Sequence, residues 1–331
     1  MLSLKGRLIA TPPASDSPLV SVSVIIVGYN SEAALAKYLP TFVETLPGGF
    51  ELILVDNNSA DRTVDTFRRI YPHGRVLKTE ANLGFAKAVN IGADQATGEW
   101  ILLLNPDASV SAAEVQALRQ SVDSRSACSA VGPVVDSGGN VIPAGRFPTI
   151  WRMFLHSAAL SALAPVSVIF EGHYIRVNEI RRGLRSVDWI TGGCMLIRRK
   201  AWIEVGGLSE RWFMYGEDVD ICFRLKQHGY EVLINQDLVV SHEIGQSSAG
   251  VDGRVSGVWL ENLYDFYSSM IATNFFQRFV WKVIVWAGFA TRAELFSLLS
   301  HKRGDNDYAF EAKRFRIYAS IIRPRHRDLR A

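Results

Sequence analysis

One stretch of the chain, residues 99–107, reads EWILLLNPD and constrains the fold more than any other. Its apolar run from Ile101 to Leu104 is continuous, which is typical of a central parallel strand covered on both faces. Pro106 has no backbone N–H to offer a neighbouring strand, so the strand has to end on a polar turn. Asp107 then lies at the carboxyl edge of a sheet, where open α/β folds bind their ligands. By itself, such an aspartate is more often the N-cap of a helix.

Apolar segments followed by polar turns recur along the first hundred residues. They are SVSVIIV at 21–27, ELILV at 51–55 and RVL at 75–77. Helical segments follow each of them, and strands that alternate with helices indicate βαβ units and a largely parallel sheet. Right-handed crossovers bring the ends of such strands to one edge. The side chains expected at that edge are those of Tyr29, Asn30, Asp56, Asn57 and Asp107.

This edge has residues that suit a nucleotide but lacks the common phosphate loops. Asp56 suits hydrogen bonds to ribose hydroxyls or a base N–H, although Asx residues after strands are also ordinary turn formers. No GxGxxG follows the first strand and no GxxxxGK[ST] occurs, which disfavours a dinucleotide fold and excludes a P-loop. A nucleotide would need another counter-charge, and Mn²⁺ or Mg²⁺ on Asp107 would provide it. His242, after a short last strand predicted at 238–241, is a second candidate ligand.

Two segments of the second half carry further candidate residues. In VDWITGGCMLI at 187–197, the glycines Gly192 and Gly193 would let a ligand lie against the backbone, with Trp189 as a stacking surface. In YGEDVD at 215–220, three carboxylates open a helix, although the helix dipole favours acidic groups there in any case. Asp220 is expected to pair with Arg224 four residues later. Glu217 and Asp218 are then available for a site.

Taken in order, these segments resemble the inverting family-2 glycosyltransferases of the GT-A fold, particularly their bacterial rhamnosyltransferase-like branch. The matching segments are SVIIVGYNS at 23–31, LVDNNSADRT at 54–63, NLGFAKAVNIG at 82–92, LLLNPDA at 102–108, DWITGGCMLIRRKAWIEVGGL at 188–208, YGEDVDICFRLKQHGY at 215–230 and VVSH at 239–242. The resemblance implies an α/β, GT-A (Rossmann-like) fold with a mixed, mainly parallel sheet flanked by helices. We expect a C-terminal helical extension to follow it.

The resemblance also implies roles for individual residues. Asp218 would be the catalytic base, with Glu217 beside it. The residues that would bind the donor are Val27, Tyr29, Asn30, Asp56, Asn82, Gly84, Asn105 and Asp107. Those that would bind the acceptor or the transferred sugar are Asp188, Trp189, Gly192 and Gly193. Asp107 and His242 would hold Mn²⁺ or Mg²⁺, because the turn at 105–107 stands where the family often has Asp-x-Asp and its first aspartate is here Asn105.

The expected domain organisation has four parts. Residues 1–20 would be a flexible leader, 21–131 the nucleotide-sugar-binding half, 132–260 the acceptor-binding and catalytic half, and 261–331 a helical, basic region. The expected function is transfer of one sugar, best L-rhamnose from dTDP-L-rhamnose, to a glycan or polyprenyl-diphosphate-linked acceptor in bacterial cell-surface polysaccharide synthesis. A UDP-sugar is the alternative donor. A catalytically idle sugar-nucleotide-binding or scaffold protein is the other alternative, since Asn105 departs from the acidic pattern.

Two apolar stretches and a basic C-terminal segment, with seven Lys or Arg after Glu311, bear on the location of the protein in the cell. Residues 153–170 are interrupted by His156 and Pro165, and we interpret them as a mobile or interfacial flap. Nine uncharged residues separate Lys282 from Arg292, too few for a span of about 20. We therefore predict an interfacial amphipathic element on the inner leaflet, the alternative being a helical cap on the sheet. Three scattered cysteines and the lack of a signal-peptide core indicate the cytoplasm, and no motif indicates a nucleic-acid partner.

Overall fold

The structure is a computed structural model that describes residues 21–137, 140–141, 144–160, 168–175, 182–242, 257–304 and 306–324. The predicted leader, 1–20, lies outside these residues. The strands in the described ranges are β1 Val22–Gly28, β2 Phe50–Asp56, β3 Arg75–Lys78, β4 Trp100–Leu104, β5 Ala108–Ser109, β6 Cys128–Ser137, β7 Asn140–Val141, β8 Ala144–Gly145, β9 Leu184–Ser186, β10 Trp189–Ile190, β11 Cys194–Arg198 and β12 Glu231–His242.

The same ranges contain helices on both sides of the sheet and at the C-terminal end. They are α1 Glu32–Glu44, α2 Thr63–Ile70, α3 Phe85–Ala93, α4 Ala112–Gln120, α5 Ile150–Ser157, α6 Arg199–Val205, α7 Glu217–Gln227, α8 Val258–Phe266, α9 Phe275–Arg303 and α10 Asn306–Ile322. A short 3₁₀ turn covers Val168–Phe170, and a π-helical turn, Tyr267–Ile271, continues α8.

One large mixed sheet organises the fold. Its strand order is β3-β2-β1-β4-β11-β6-β12-β5, with β7 beside β6 and β9 beside β12. Strands β1 to β4 are parallel to their neighbours within this group, and β12 runs parallel to β6. Strand β11 is antiparallel to β4 and to β6. The predicted mixed, mainly parallel sheet flanked by helices is confirmed.

Alternate residues of β4 face two separate apolar cores, which explains its uninterrupted apolar sequence. Ile101 and Leu103 pack with residues of α3, α6 and α7, whereas Leu102 and Leu104 pack with residues of α1, α2 and α4. All five residues of the strand are buried. Both faces of the strand are therefore covered, as is usual for a central strand. The turn at 105–107 follows it at the carboxyl edge of the sheet.

A third core joins α5 to the C-terminal helices. Met153 of α5 is fully buried with Trp281, Val285 and Phe289 of α9. The interpretation of residues 153–170 as a flap is therefore wrong for the part that α5 covers, because this segment packs against a helix that follows it by more than a hundred residues. Residues 161–167 lie outside the described ranges. Within those ranges α9 is long and apolar enough to cross a membrane by length and composition, and only 17% of its apolar window is buried. The prediction that Lys282 and Arg292 leave too short an apolar stretch is wrong by this measure, because the helix continues on both sides of these two charges.

Candidate active site

The turns after β1 and β2 form the predicted donor edge. Gly28 lies opposite Asp56 in the register of the two strands, next to the half-buried Val27. Asp56 is only 5% exposed and its Oδ1 accepts the N–H of Ser59 at 3.3 Å. Asn57 N–H donates to the carbonyl of Gly28 at 2.7 Å. The Asp56 carboxylate is thus held at the carboxyl end of the central strands.

Asn30 links the first turn to the second. It adopts a left-handed conformation with φ of 49°, which asparagine tolerates better than most residues. Its N–H donates to Ser59 Oγ at 3.0 Å, and its Oδ1 accepts the N–H of Ala60 at 2.8 Å. Tyr29 beside it is 42% exposed. The edge therefore combines a fixed backbone with an aromatic ring open to solvent.

Asn57 connects this edge to the loop that carries Asn82 and Gly84. Its Nδ2 donates to Asn82 Oδ1 at 2.9 Å and to the carbonyl of Gly84 at 3.3 Å. Its Oδ1 accepts the N–H of Leu83 at 2.9 Å. The sequence placed Asn57 at the edge without giving it a role, and its position directly after a strand-ending aspartate was the available signal. It supports the loop rather than facing outward, since it is 2% exposed.

The turn after β4 carries Asp107 and leads into β5, which pairs with the strand that ends at His242. Asp107 is 1% exposed, and Asn105 N–H donates to the carbonyl of Gly193 at 3.0 Å. In the pairing of β5 with β12, His242 lies directly opposite Ala108, the residue after Asp107. The described side chains include no group of three or more possible metal ligands. One carboxylate still fits Mg²⁺ or Mn²⁺, which proteins commonly hold with one or two carboxylates plus substrate phosphates.

Asp218 lies in the first turn of α7 and contacts the glycine segment. Its Oδ1 accepts the N–H of Val219 at 2.8 Å, and the backbone N–H of Gly192 lies close enough to the carboxylate to oppose the rise in the pKa of Asp218 that burial causes. Gly193, the next residue, accepts the hydrogen bond from Asn105. The structure therefore joins Asp218 to the turn of Asp107 through two consecutive glycines.

The paired carboxylates of Glu217 and Asp218 have unusual electrostatics. Glu217 is 6% exposed, and among the described residues its Oε2 has no hydrogen-bond partner. Burial raises the pKa of Glu217, and the neighbouring Asp218 charge raises it further. Burial also raises the pKa of Asp218, opposed in part by the N–H groups of Val219 and Gly192. A carboxylate whose pKa is raised toward neutrality suits general-base work.

Trp212–Gly216, which we term the catalytic turn because it precedes the predicted base Asp218, leads directly into these carboxylates. Tyr215 and Gly216 have positive φ angles of 69° and 105°. Phe85 N–H donates to the carbonyl of Phe213 at 2.9 Å, and a Cβ on Gly84 would lie only 2.4 Å from that carbonyl oxygen. The predicted donor loop and the catalytic turn are therefore in direct contact, and glycine at position 84 permits it.

Asp188 and Trp189 are engaged inside the protein. Asp188 Oδ1 accepts from Lys226 Nζ at 2.9 Å, and its Oδ2 accepts the N–H of Phe147 at 3.0 Å. Trp189 is 4% exposed, its Nε1 donates to the carbonyl of Arg146 at 3.2 Å, and its ring lies 5.0 Å from that of His173. This corrects the expectation that Trp189 presents a stacking surface, because neighbouring rings enclose it.

Comparison with known sequences finds relatives that transfer sugars. The profile of Glycosyl transferase family 2 matches residues 23–206, more than half of the chain, and that of the N-terminal domain of galactosyltransferase matches residues 172–242. The N-acetylglucosaminyl-diphospho-decaprenol L-rhamnosyltransferase of Mycobacterium tuberculosis is 31% identical over 62% of this chain and 71% of its own length. A low-salt glycan biosynthesis hexosyltransferase of Haloferax volcanii is 24% identical over 67% of each chain.

Solved structures share the fold. GalNAc-T7 with UDP, GalNAc and Mn²⁺ matches with a TM-score of 0.57 and 18% identity, over 76% of this chain and 48% of that one. A mannosyltransferase from Pyrobaculum calidifontis with GDP-Man and Mn²⁺ matches with a TM-score of 0.53 and 15% identity, over 92% and 87%. These likenesses confirm the GT-A fold. Together with the family profile they lead to one conclusion: the chain belongs to glycosyl transferase family 2 and is a glycosyltransferase.

Proposed function

We propose that this glycosyltransferase is nonprocessive and inverting, and that it moves L-rhamnose from dTDP-L-rhamnose to a hydroxyl of polyprenyl-diphosphate-linked N-acetylglucosamine in cell-surface polysaccharide synthesis. The donor and acceptor are suggested by the name of the mycobacterial relative. The observation that carries the mechanism is the position of the Asp218 carboxylate beside Gly192, whose neighbour Gly193 accepts a hydrogen bond from the turn of Asp107. One base and one donor site at the same sheet edge are what a single displacement requires.

In this reaction a new bond forms between the acceptor oxygen and the anomeric carbon as the bond from that carbon to the diphosphate breaks. Asp218 takes the proton of the acceptor hydroxyl, and the diphosphate leaves with the electron pair. The transition state is oxocarbenium-like, as in glycoside hydrolysis. The raised pKa of Asp218, caused by burial, makes its carboxylate a stronger base than an exposed aspartate. Asp56 would bind the nucleoside, since it lies at the end of β2.

Asp107 would hold Mn²⁺ or Mg²⁺ together with His242, which lies opposite Ala108, the residue after Asp107, in the strand register. When bound, the ion would neutralise charge on the leaving diphosphate. Asn105 would orient the turn through its hydrogen bond to Gly193. The fit rests on the buried Asp107 carboxylate at the same edge as Asp56.

Donor binding can be tested without measuring turnover. We would measure thermal stabilisation by dTDP-L-rhamnose, UDP-glucose, UDP-GlcNAc and GDP-mannose, each with and without Mn²⁺. A ligand at 100 times its dissociation constant adds about 2.7 kcal/mol to the free energy of unfolding. We expect the largest shift from dTDP-L-rhamnose with Mn²⁺, loss of the Mn²⁺-dependent part in Asp107→Asn, and no loss in the exposed control Asp65→Asn. Stabilisation by a UDP-sugar alone would support the alternative donor, and no response to any nucleotide sugar would refute the donor site.

The C-terminal helices would place the enzyme on the cytoplasmic face of the membrane, where a polyprenyl-linked acceptor lies. Phe276 and Leu298 of α9 are 69% and 70% exposed, and the helix ends in three basic residues. An apolar face with basic ends suits an anionic leaflet. We expect co-sedimentation with phosphatidylglycerol vesicles that is lost when Phe276 and Leu298 both become Glu. The control Ile203→Glu, at a 60% exposed position of α6, should leave it intact.

A further inference from the structure

We propose that Asn262 and Asp265 of α8 are positioning residues for the catalytic turn, so that the C-terminal helices determine where Asp218 lies. The inference rests on the proposed role of Asp218 as the base. It gives the C-terminal region a part in catalysis that is separate from any contact with a membrane. Four observations support it.

Asn262 holds the end of the catalytic turn with both protons of one amide. Its Nδ2 donates to the carbonyl of Met214 at 2.8 Å and to the carbonyl of Tyr215 at 2.9 Å. These carbonyls flank a residue whose φ of 69° is rare for a bulky side chain. A backbone in such a conformation persists only where the surrounding structure imposes it. Asn262 is the side chain that bonds this backbone from outside the turn.

Asp265 holds the beginning of the same turn. Its Oδ2 accepts from Trp212 Nε1 at 2.9 Å, and its carboxylate pairs with Arg211 at 2.6 Å. Trp212 is 7% exposed, and its ring lies 3.4 Å from where a Cβ on Gly216 would be. The indole of Trp212 is therefore the surface against which the end of the turn packs. Asp265 fixes the orientation of this indole through its hydrogen bond.

Helix α8 is itself fixed from two sides. Leu260 and Leu263 are buried in the core of the C-terminal helices, whereas Phe266 packs in the core beneath the sheet and contacts Phe223 of α7 at 5.5 Å between ring centroids. Asn262 and Asp265 are three residues apart and so project from one face of the helix. A shift of the C-terminal helices would be transmitted to the turn through these two polar side chains.

The catalytic turn also provides the acceptor of the first hydrogen bond of α7. The carbonyl of Gly216 accepts the N–H of Asp220 at 3.0 Å, and Asp218 lies between these two residues. Rotation of the peptides at Met214 and Tyr215 would thus displace the base. A misplacement of about 1 Å can lower a reaction rate about 10²-fold.

The structural half of the inference is tested by hydrogen exchange. We would compare peptides covering residues 211–221 in wild type, Asn262→Ala and the control Glu261→Gln, which changes the adjacent exposed residue of the same helix. We expect faster exchange of these peptides in Asn262→Ala alone, with exchange in β1 and β4 unchanged. Wild-type exchange in Asn262→Ala would overturn the inference, whatever the activity of the enzyme.

The catalytic half is tested by the transfer rate per donor-binding site, with dTDP-L-rhamnose and N-acetylglucosaminyl-diphospho-polyprenol as probes. Titrating binding sites removes any effect of unfolded protein. We expect Asn262→Ala to lower this rate about 10- to 100-fold with the donor dissociation constant within about twofold of wild type. Asp265→Asn, which keeps the shape of the side chain, should lower the rate less, by about threefold to tenfold. It is the variant that tests the inference if Asn262→Ala does not fold.

Asp218→Asn separates the two proposals. If Asp218→Asn is inactive and Asn262→Ala keeps the wild-type rate per site, the positioning role is overturned and the proposed function stands. If Asp218→Asn keeps the wild-type rate, the proposed function fails, and the exchange measurement alone decides whether α8 holds the turn.

Discussion

The donor edge and the catalytic turn lie side by side, yet they are held by different parts of the chain. At the donor edge, Asn57 bonds Asn82 and Leu83, which are 25 and 26 residues away within the next βαβ unit. The catalytic turn takes its support from Phe85 in the first half of the chain and from Asn262, 47 and 48 residues beyond the carbonyls it holds. The donor edge is thus supported by residues of neighbouring elements, and the catalytic turn by residues far away in the chain. Because the two regions have different proposed roles, we expect substitutions at the donor edge to alter donor affinity and substitutions around the catalytic turn to alter the rate.

The largest effect that would sharpen this contrast is expected from Asp218→Asn. The amide cannot take the acceptor proton, and general acid–base catalysis contributes about 10²- to 10⁴-fold to a rate. We expect kcat to fall by that factor while the dissociation constant for the donor stays unchanged, measured by steady-state kinetics and calorimetry. Asp65→Asn, an equal change at an exposed residue of α2, is the control. Weaker donor binding in Asp218→Asn would mean that the two regions are not separable.

Gly84→Ala would break the contact between the two regions. The added Cβ would lie 2.4 Å from the carbonyl oxygen of Phe213, at a residue whose φ is already +83°. The φ of 83° and ψ of 173° at Gly84 define a backbone conformation that is essentially restricted to glycine, where strain costs about 1–3 kcal/mol. Together with overpacking of about 1–3 kcal/mol, this predicts a loss of about 4 kcal/mol in the free energy of unfolding, measured in urea.

Gly206→Ala is a control for positive φ in open space, because Gly206 has a φ of 77° in the left-handed α region and nothing lies near the new atom. It should cost only the strain, about 1 kcal/mol. Equal losses in the two variants would show that the close approach of the donor loop to the catalytic turn contributes nothing to stability.

A smaller effect is expected at the donor edge from Asp56→Asn. A hydrogen bond to a charged group contributes about 1.5–3 kcal/mol, so donor affinity should fall about 30-fold, the equivalent of about 2 kcal/mol. Because Asp56 is proposed to bind the nucleoside and to take no part in the proton transfer, kcat at saturating donor should stay within about twofold of wild type. Calorimetry with dTDP-L-rhamnose and saturation kinetics measure the two quantities. A fall in kcat as large as the fall in affinity would contradict the division of the site.

The same contrast explains what could be predicted from sequence. Strands β1 to β4 could be predicted because each is an apolar run that stops at a polar or proline-containing turn, such as the one with Pro106. The start of α7 could be predicted because acidic residues open its helical pattern. Strand β12 starts at Glu231 rather than at 238, since buried Asn235 and Gln236 interrupt its apolar pattern. The role of Asn262 has no local signal at all. Its partners are carbonyl groups, which every residue possesses and no sequence pattern marks.

Glu217→Gln is expected to act on the pH dependence of stability rather than on rate. Burial, and then the charge of Asp218, raise the pKa of Glu217 in the folded protein above its unfolded value. Its protonation therefore favours the fold: this stabilisation is complete below the unfolded pKa, about 4.3, and is lost as pH rises through the raised value. A neutral Gln removes that loss, and the raised pKa of Glu217 is about 8. The free energy of unfolding of the variant relative to wild type should therefore increase from pH 4 to pH 8 by several kcal/mol, on the order of 1 kcal/mol for each pH unit crossed. Urea unfolding at both pH values measures it, with the exposed Glu261→Gln showing no such trend. A relative decrease with pH would mean that the fold stabilises an ionised Glu217, and the first turn of α7 would then carry two charges.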